Sequence, residues 1–401
     1  MSETTTRDYT IVTAGYWAFT VTDGALRMLV LLHFHELGYS PVALAFLFLL
    51  YEVTGIATNL LGGWVGARRG LNRTLVAGLG LQVVALIGLS VHDASWARVA
   101  SVAYVMGVQA LSGIAKDLTK MSSKSTVKLV AGDGSLFRLV AVLTGSKNAL
   151  KGVGFFIGAA LLASVGYDAS LLLMAGVLAV VMVAAASLLQ SDLGRSTRPT
   201  PLRSVWTKSS SINRLAAARV FLFASRDIWF VVALPVFLTG QLGWSFEGTG
   251  GFLAAWVIGY GFVQALAPRL IGEDRVSGAR RWSVVLVVLC GSIAVLVQLD
   301  LVVTIAVVGG LVLFGVVFAV NSSLHSYLIL AYSRSDDDVA TDVGFYYSAN
   351  AVGRLLGTLL SGVLSLWAGL QGAMWGSAAF LAITWLLTLR LPRLEPGTAV
   401  A

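Results

Sequence analysis

The sequence has little charge and almost no cysteine. Only 12% of its 401 residues are charged, about half of the roughly 25% found in soluble globular proteins, whereas 57% are apolar. This deficit excludes a disordered chain, a nucleic-acid-binding module and an ordinary cytosolic enzyme. The single cysteine, Cys290, excludes an intramolecular disulfide framework and a cysteine-based metal cluster. The composition is that of a membrane protein that crosses the bilayer many times.

Twelve apolar runs are long enough to cross a bilayer as helices, because about 20 residues span the hydrocarbon core. They are too long and continuous for barrel strands, so the predicted fold class is all-α. The first run carries Asp23 and Arg27, which predicts a retained helix rather than a secretory signal. The runs are 10–34, 42–64, 74–92, 98–118, 136–164, 169–190, 215–239, 249–271, 282–300, 302–332, 343–366 and 371–391.

Lysine and arginine are distributed unevenly between the two sides of this topology. With a cytoplasmic N-terminus, the inside segments hold twenty-one of them and the outside loops hold only Arg98. The positive-inside rule then places both termini in the cytoplasm and predicts a multi-pass protein of the cell (inner or plasma) membrane. Most of the net charge of +8 therefore reflects the membrane topology and does not indicate a nucleic-acid-binding surface.

The chain divides into two halves that resemble each other. Pro199, Pro201 and several serines indicate a basic cytoplasmic linker at 191–214, between six-helix halves at 1–190 and 215–401. Corresponding residues recur at a nearly fixed offset: Asp23 and Asp227 differ by 204 positions, and Lys151 and Arg354 differ by 203. The repeat favours pseudo-symmetric halves with a substrate site between them near the bilayer midplane.

Charged residues near the span centres carry the functional signal. Each is costly in a membrane and needs a partner or a water-filled cavity. Arg219 lies close enough to the cytoplasmic end to extend its side chain to the interface, so it is set aside. The remaining five cations outnumber three anions, which favours a multiply charged anionic substrate. The cations are Arg27, Lys147, Lys151, Arg226 and Arg354, and the anions are Asp23, Glu52 and Asp227.

Structural pairing is the alternative explanation of these charges. Asp23 and Arg27 are spaced i,i+4 and can pair directly, as can the neighbours Arg226 and Asp227. Such pairs neutralise one another or lock helix packing instead of binding a substrate.

Two lysines on span five can also be explained in two ways. Lys147 and Lys151 are also spaced i,i+4 and repel unless an anionic substrate lies between them; the alternative is a pairing with Glu52 or another buried carboxylate. Glu52 itself is a structural partner or a proton carrier. Asn148 and Asn350 are uncharged candidates for the same cavity.

A series of lysines leaves span four toward the cytoplasm. Lys116, Lys120, Lys124 and Lys128 follow a four-residue spacing along one helical stripe. Topology and contact with anionic lipid explain such a stripe; alternatively, Lys116 and Lys120 form an entrance that concentrates anions at the cytoplasmic mouth.

The chain has no nucleotide-binding loop motif and no metal-ligand spacing, which predicts a gradient-driven secondary transporter, without a cofactor, rather than an enzyme.

The loop between spans two and three resembles the signature of the major facilitator superfamily. In GGWVGARRGLNR (62–73), Gly63, Arg68, Gly70 and Arg73 match G-x-x-x-D-R-x-G-x-R-R. Ala67 stands where the signature has an acidic residue, so the usual charge relay of this loop is incomplete.

Longer segments are similar to the ArsJ-type organoarsenical efflux permeases of that superfamily, from about residue 9 to 390. These include YWAFTVTDGALRMLVLLHFHELGYSP, LTGSKNALKGVGFF and ARVFLFASRDIWFVVALP. The resemblance implies export of 1-arseno-3-phosphoglycerate, which glyceraldehyde-3-phosphate dehydrogenase makes from arsenate, and hence arsenate resistance. The five central cations would hold its two anionic ends, and Asp23, Glu52 or Asp227 would exchange protons in an antiporter. The alternatives are an exporter of another phosphorylated organic anion or a drug, and an integral-membrane enzyme or lipid-binding protein.

Overall fold

The computed structural model describes residues 3–39, 47–131, 135–189, 194, 203, 206, 208–244, 246–333 and 336–394. Within these ranges the regular elements are helices and there is no strand. The twelve helices are α1 Glu3–Glu36, α2 Leu49–Arg69, α3 Leu71–Ser90, α4 Arg98–Val130, α5 Leu136–Val165, α6 Tyr167–Leu188, α7 Ser210–Phe230, α8 Ala233–Gly240, α9 Phe246–Leu270, α10 Arg275–Gln298, α11 Val303–Tyr332 and α12 Asp336–Leu389.

The predicted spans coincide with these helices. Nine helical segments of the described chain are long and apolar enough to cross a membrane. Helix α1 contains the first predicted span, and α2 overlaps the second from Leu49 onward. Spans eleven and twelve are joined in α12, which breaks at Ala368 and Gly369. The all-α expectation is confirmed. Most of the predicted linker 191–214 lies outside the described residues.

The chain forms two compact units. Unit 1 comprises Met1–Gly132, Ser146–Thr207 and Arg334–Ser348, and unit 2 comprises Asp133–Gly145, Lys208–Ser333 and Ala349–Ala401. Each has its own apolar core, which includes Phe19 and Leu79 in unit 1 and Trp229 and Phe314 in unit 2. Each unit also takes up a short segment from the other half of the sequence, so the division at 190 and 214 stays a prediction.

Glycine brings two helices of unit 1 into backbone contact. A Cβ atom on Gly24 of α1 would lie 2.5 Å from the carbonyl oxygen of Lys151 on α5, and one on Gly154 would strike the carbonyl of Val21. Small residues allow this close approach of membrane helices. The contact sets Lys151 beside Asp23.

The same contact recurs in unit 2. A Cβ atom on Gly357 of α12 would lie 2.6 Å from the carbonyl oxygen of Ala224 on α7. Gly154 and Gly357, like Val21 and Ala224, differ by 203 positions. The repeat found in the sequence therefore corresponds to one packing contact made twice, and in each unit this contact places a basic residue beside an aspartate.

Predicted span seven is broken between α7 and α8. The freed backbone amides of Val232 and Ala233 donate to the hydroxyl oxygen of Ser361, at 3.1 and 3.3 Å. An interrupted membrane helix needs such side-chain partners, because no water reaches its backbone in hydrocarbon.

Candidate functional site

The first cluster of charges lies in unit 1 and begins with a buried aspartate. Asp23 on α1 is 4% exposed. Lys151 on α5 donates to it at 2.8 Å, and the hydroxyl of Tyr51 on α2 donates to its other oxygen. The carboxylate is thus held from two further helices and is shielded from solvent.

Tyr51 also supports the second part of this cluster. The Arg27 guanidinium lies 4.4 Å from the centre of the Tyr51 ring, and the Lys116 ammonium lies 3.8 Å from it. Glu52 binds both cations: Oε1 is 2.6 Å from Arg27 Nη2 and Oε2 is 3.9 Å from Lys116 Nζ. Cations on an aromatic face are stabilised by its quadrupole. Three cations in this cluster therefore contact two carboxylates.

The second cluster lies in unit 2 around Asp227. This residue is 2% exposed and apart from Asp300 is the only acid in predicted spans seven to twelve. Arg226 binds its Oδ1 at 2.5 and 2.7 Å, and Nε of Arg354 lies 3.5 Å from Oδ2. Two guanidinium groups thus face one carboxylate.

Arg219 is a buried member of the unit 2 interior, which corrects the expectation that it extends to the interface. It is 3% exposed. Its Nε donates to Asn350 at 2.9 Å and its Nη1 to Ser322 at 3.2 Å. The guanidinium lies 3.9 Å from the centre of the Phe223 ring. Depth along a span could not reveal this, since the partners come from α11 and α12.

Asp117 is a buried carboxylate that the sequence reasoning missed. It is fully buried on α4, accepts from Lys120 at 2.6 Å and from Thr58 at 2.9 Å. The Lys120 ammonium lies 4.9 Å from the centre of the Tyr347 ring. The i,i+3 spacing of Asp117 and Lys120 was the available signal. Within the lysine stripe, Lys124 is only 3% exposed.

The direct pairing of Asp23 with Arg27, one alternative for these charges, is replaced by contacts with other helices: Asp23 binds Lys151 and Arg27 binds Glu52. Lys151 therefore has a buried carboxylate partner, and Arg226 pairs with its neighbour Asp227.

The remaining candidates are distributed along the same helices. Lys147 and Asn148 lie half-buried on α5, one turn before Lys151. Asn350 lies on α12 beside Arg219, and Lys116 belongs to the first cluster. In the described part of the chain no three His, Cys, Asp or Glu side chains group as a metal site.

The long apolar helices are those of a multi-pass membrane protein. The chain belongs to the major facilitator superfamily, whose family model matches residues 12–329, and is therefore a secondary membrane transporter. No curated protein sequence matches the chain.

Solved structures share the fold at low sequence identity. A bacterial homologue of the iron transporter ferroportin in an outward-facing state superposes with a TM-score of 0.79 at 14% identity, over 96% of this chain and 99% of that one. The proton:xylose symporter XylE gives 0.76 at 12%, over 97% and 96%. The human organic anion transporter MFSD10 (TETRAN) gives 0.72 at 17%, over 97% and 100%. These likenesses concern the fold alone.

Proposed function

We propose that this transporter exports an anionic organoarsenical, 1-arseno-3-phosphoglycerate, by alternating access and thereby confers arsenate resistance. The proposal places it in the cell membrane with both termini in the cytoplasm, where glyceraldehyde-3-phosphate dehydrogenase would supply the cargo from arsenate. The resemblance to organoarsenical efflux permeases supports the identity of the cargo. The charge balance of the two clusters supports its chemical class.

The observation that carries the proposal is the excess of cations over the carboxylates that they contact. Among the described residues, three cations contact two carboxylates in the first cluster, and two contact one in the second cluster. The side chains of Arg27 and Arg354 are 25% and 38% exposed, whereas that of Asp227 is 3% exposed. Guanidinium groups that remain accessible at membrane depth suit an anionic ligand, because their planar fork matches phosphate-like oxygens.

The candidate residues would have different roles, according to the chemistry of their side chains. Arginine would hold the phosphate and arsenate oxygens through paired hydrogen bonds, and lysine would act as a point charge. The cations proposed to contact the substrate are Arg27, Lys147, Lys151, Arg226 and Arg354, with Asn148 and Asn350 as neutral donors. Asp23, Glu52 or Asp227 would exchange protons if the carrier is an antiporter.

Uptake into inside-out vesicles tests the cargo. Labelled arsenate is expected to accumulate only when the dehydrogenase, glyceraldehyde 3-phosphate and NAD are all present outside the vesicles. Uptake of free arsenate without them would refute the ester as cargo. Labelled 3-phosphoglycerate in the same assay identifies an exporter of other phosphorylated anions, which the same excess of cations would suit.

Two single variants test the role of the cations. Arg27→Ala and Arg354→Ala are each expected to abolish arsenate resistance in cells while membrane abundance stays unchanged, because each removes one charge that would contact the anion. Arg98→Ala is the matched control, since Arg98 lies outside both clusters, against Tyr39. Full resistance of both cluster variants would remove the proposed binding role.

A further inference from the structure

We propose that the carboxylate of Glu52 occupies the place of one anionic group of the cargo, and that the cargo binds by displacing it from Arg27 and Lys116. This inference rests on the proposed function. It adds that Glu52 competes with the anion, and it makes Lys116 a substrate-binding residue rather than part of an entrance.

The geometry of Glu52 is that of a ligand held between two cations. Its two oxygens face different partners, Arg27 at 2.6 Å and Lys116 at 3.9 Å. Both cations lie within 4.4 Å of the centre of the Tyr51 ring, so the ring stabilises them independently of their contacts with Glu52. A phosphate or arsenate group presents its oxygens to arginine and lysine in a similar way.

Accessibility distinguishes Glu52 from the other carboxylates of the clusters. Its side chain is 30% exposed, whereas those of Asp23 and Asp227 are 5% and 3% exposed. Asp23 is also tied to Tyr51 and Lys151. Part of the Glu52 ion pair is accessible, so separating it costs less than separating the more buried Asp23–Lys151 pair. Glu52 is therefore the carboxylate that an incoming anion can replace.

Arg27 retains hydrogen-bonding capacity in this arrangement. Its Nε atom is buried and has no hydrogen-bond partner in the described part of the chain, although Nη2 binds Glu52. An anion with three oxygens can accept hydrogen bonds from more of the guanidinium N–H groups than one carboxylate oxygen does. Displacement of Glu52 would also leave three cations facing one carboxylate in the cluster, which raises its attraction for a polyanion.

Selective labelling of arginine tests whether Glu52 covers Arg27. Phenylglyoxal modification of purified transporter is followed at the Arg27 peptide by mass spectrometry. Glu52→Gln is expected to raise the rate severalfold. Asp23→Asn, the matched control, removes the same charge from the same cluster but leaves Glu52 on Arg27, so its rate is expected to stay near that of the wild type. Equal rates in the wild type and Glu52→Gln would overturn the inference.

Binding of 3-phosphoglycerate, a stable anion with a carboxylate and a phosphate, tests the competition. Glu52→Gln is expected to bind it about tenfold more tightly than Asp23→Asn does, because only the former removes a carboxylate from the anion's own position. Equal affinities would attribute the gain to net charge alone and would overturn displacement. Labelling does not depend on the cargo: failed arsenate uptake by the wild type would refute the proposed function, whereas unchanged Arg27 labelling would refute only this inference.

Discussion

Removal of the Asp227 carboxylate is expected to destabilise unit 2. Asp227→Asn keeps the shape of the side chain but leaves two guanidinium groups, Arg226 and Arg354, without their shared anion. Breaking a buried ion pair from one side costs about 3–5 kcal/mol, because the remaining charge stays desolvated. Arg354 is 38% exposed and thus less buried than Arg226, so the lower end, about 3 kcal/mol, is expected.

Thermal unfolding of the purified protein in detergent measures this cost. The Asp227→Asn variant should unfold several degrees below the wild type. Adding Arg226→Gln should recover most of the loss, since the better-buried of the two cations is then removed as well. Together with the Arg226→Gln single variant, the double variant isolates the interaction between the two residues. A single variant that unfolds within one degree or so of the wild type would refute the reasoning.

Two further perturbations follow from helix contacts and capping. Gly24→Leu should sharply reduce folded protein in membranes, as its Cβ would lie 2.5 Å from a carbonyl oxygen of α5, whereas Gly107→Leu, with no atom near its Cβ, should not; equal abundance would contradict this. Asp274→Ala should lower stability by about 1 kcal/mol, because Asp274 caps α10 by accepting from the Ser277 amide. Hydrogen bonds from Ser277 lower the pKa of the Asp274 carboxyl, so this contribution is present at neutral pH and is lost as the pH falls through that pKa. Melting temperatures of the wild type and of Asp274→Ala, measured across acidic pH, check this prediction. The difference between the two should shrink as the pH falls, and a constant difference would contradict it.

The membrane architecture could be predicted from the sequence because it depends on local composition. A run of apolar residues must form a helix in hydrocarbon whatever its neighbours are, so the described helices coincide with the predicted spans. The family could also be inferred, since the signature around Gly63 and Arg68 is a local string. The repeat of Asp23 and Lys151 as Asp227 and Arg354 favoured two pseudo-symmetric halves before any helix was placed.

Salt-bridge partners could not be predicted in the same way. Spacing on one helix made Arg27 the natural partner of Asp23, yet the carboxylate binds Lys151 of another helix. Arg219 was assigned to the interface from its depth alone, and Asp117 was overlooked, although both are buried among side chains of other helices.

The sequence by itself determined that this chain crosses a membrane many times and carries more basic than acidic side chains at depth, because transfer to hydrocarbon is a property of each segment. Only the tertiary structure decided which carboxylate each cation meets and which of them solvent can reach. Ionic contacts act over a few ångströms between helices far apart in the chain, and glycine contacts such as that of Gly24 with α5 fix those distances.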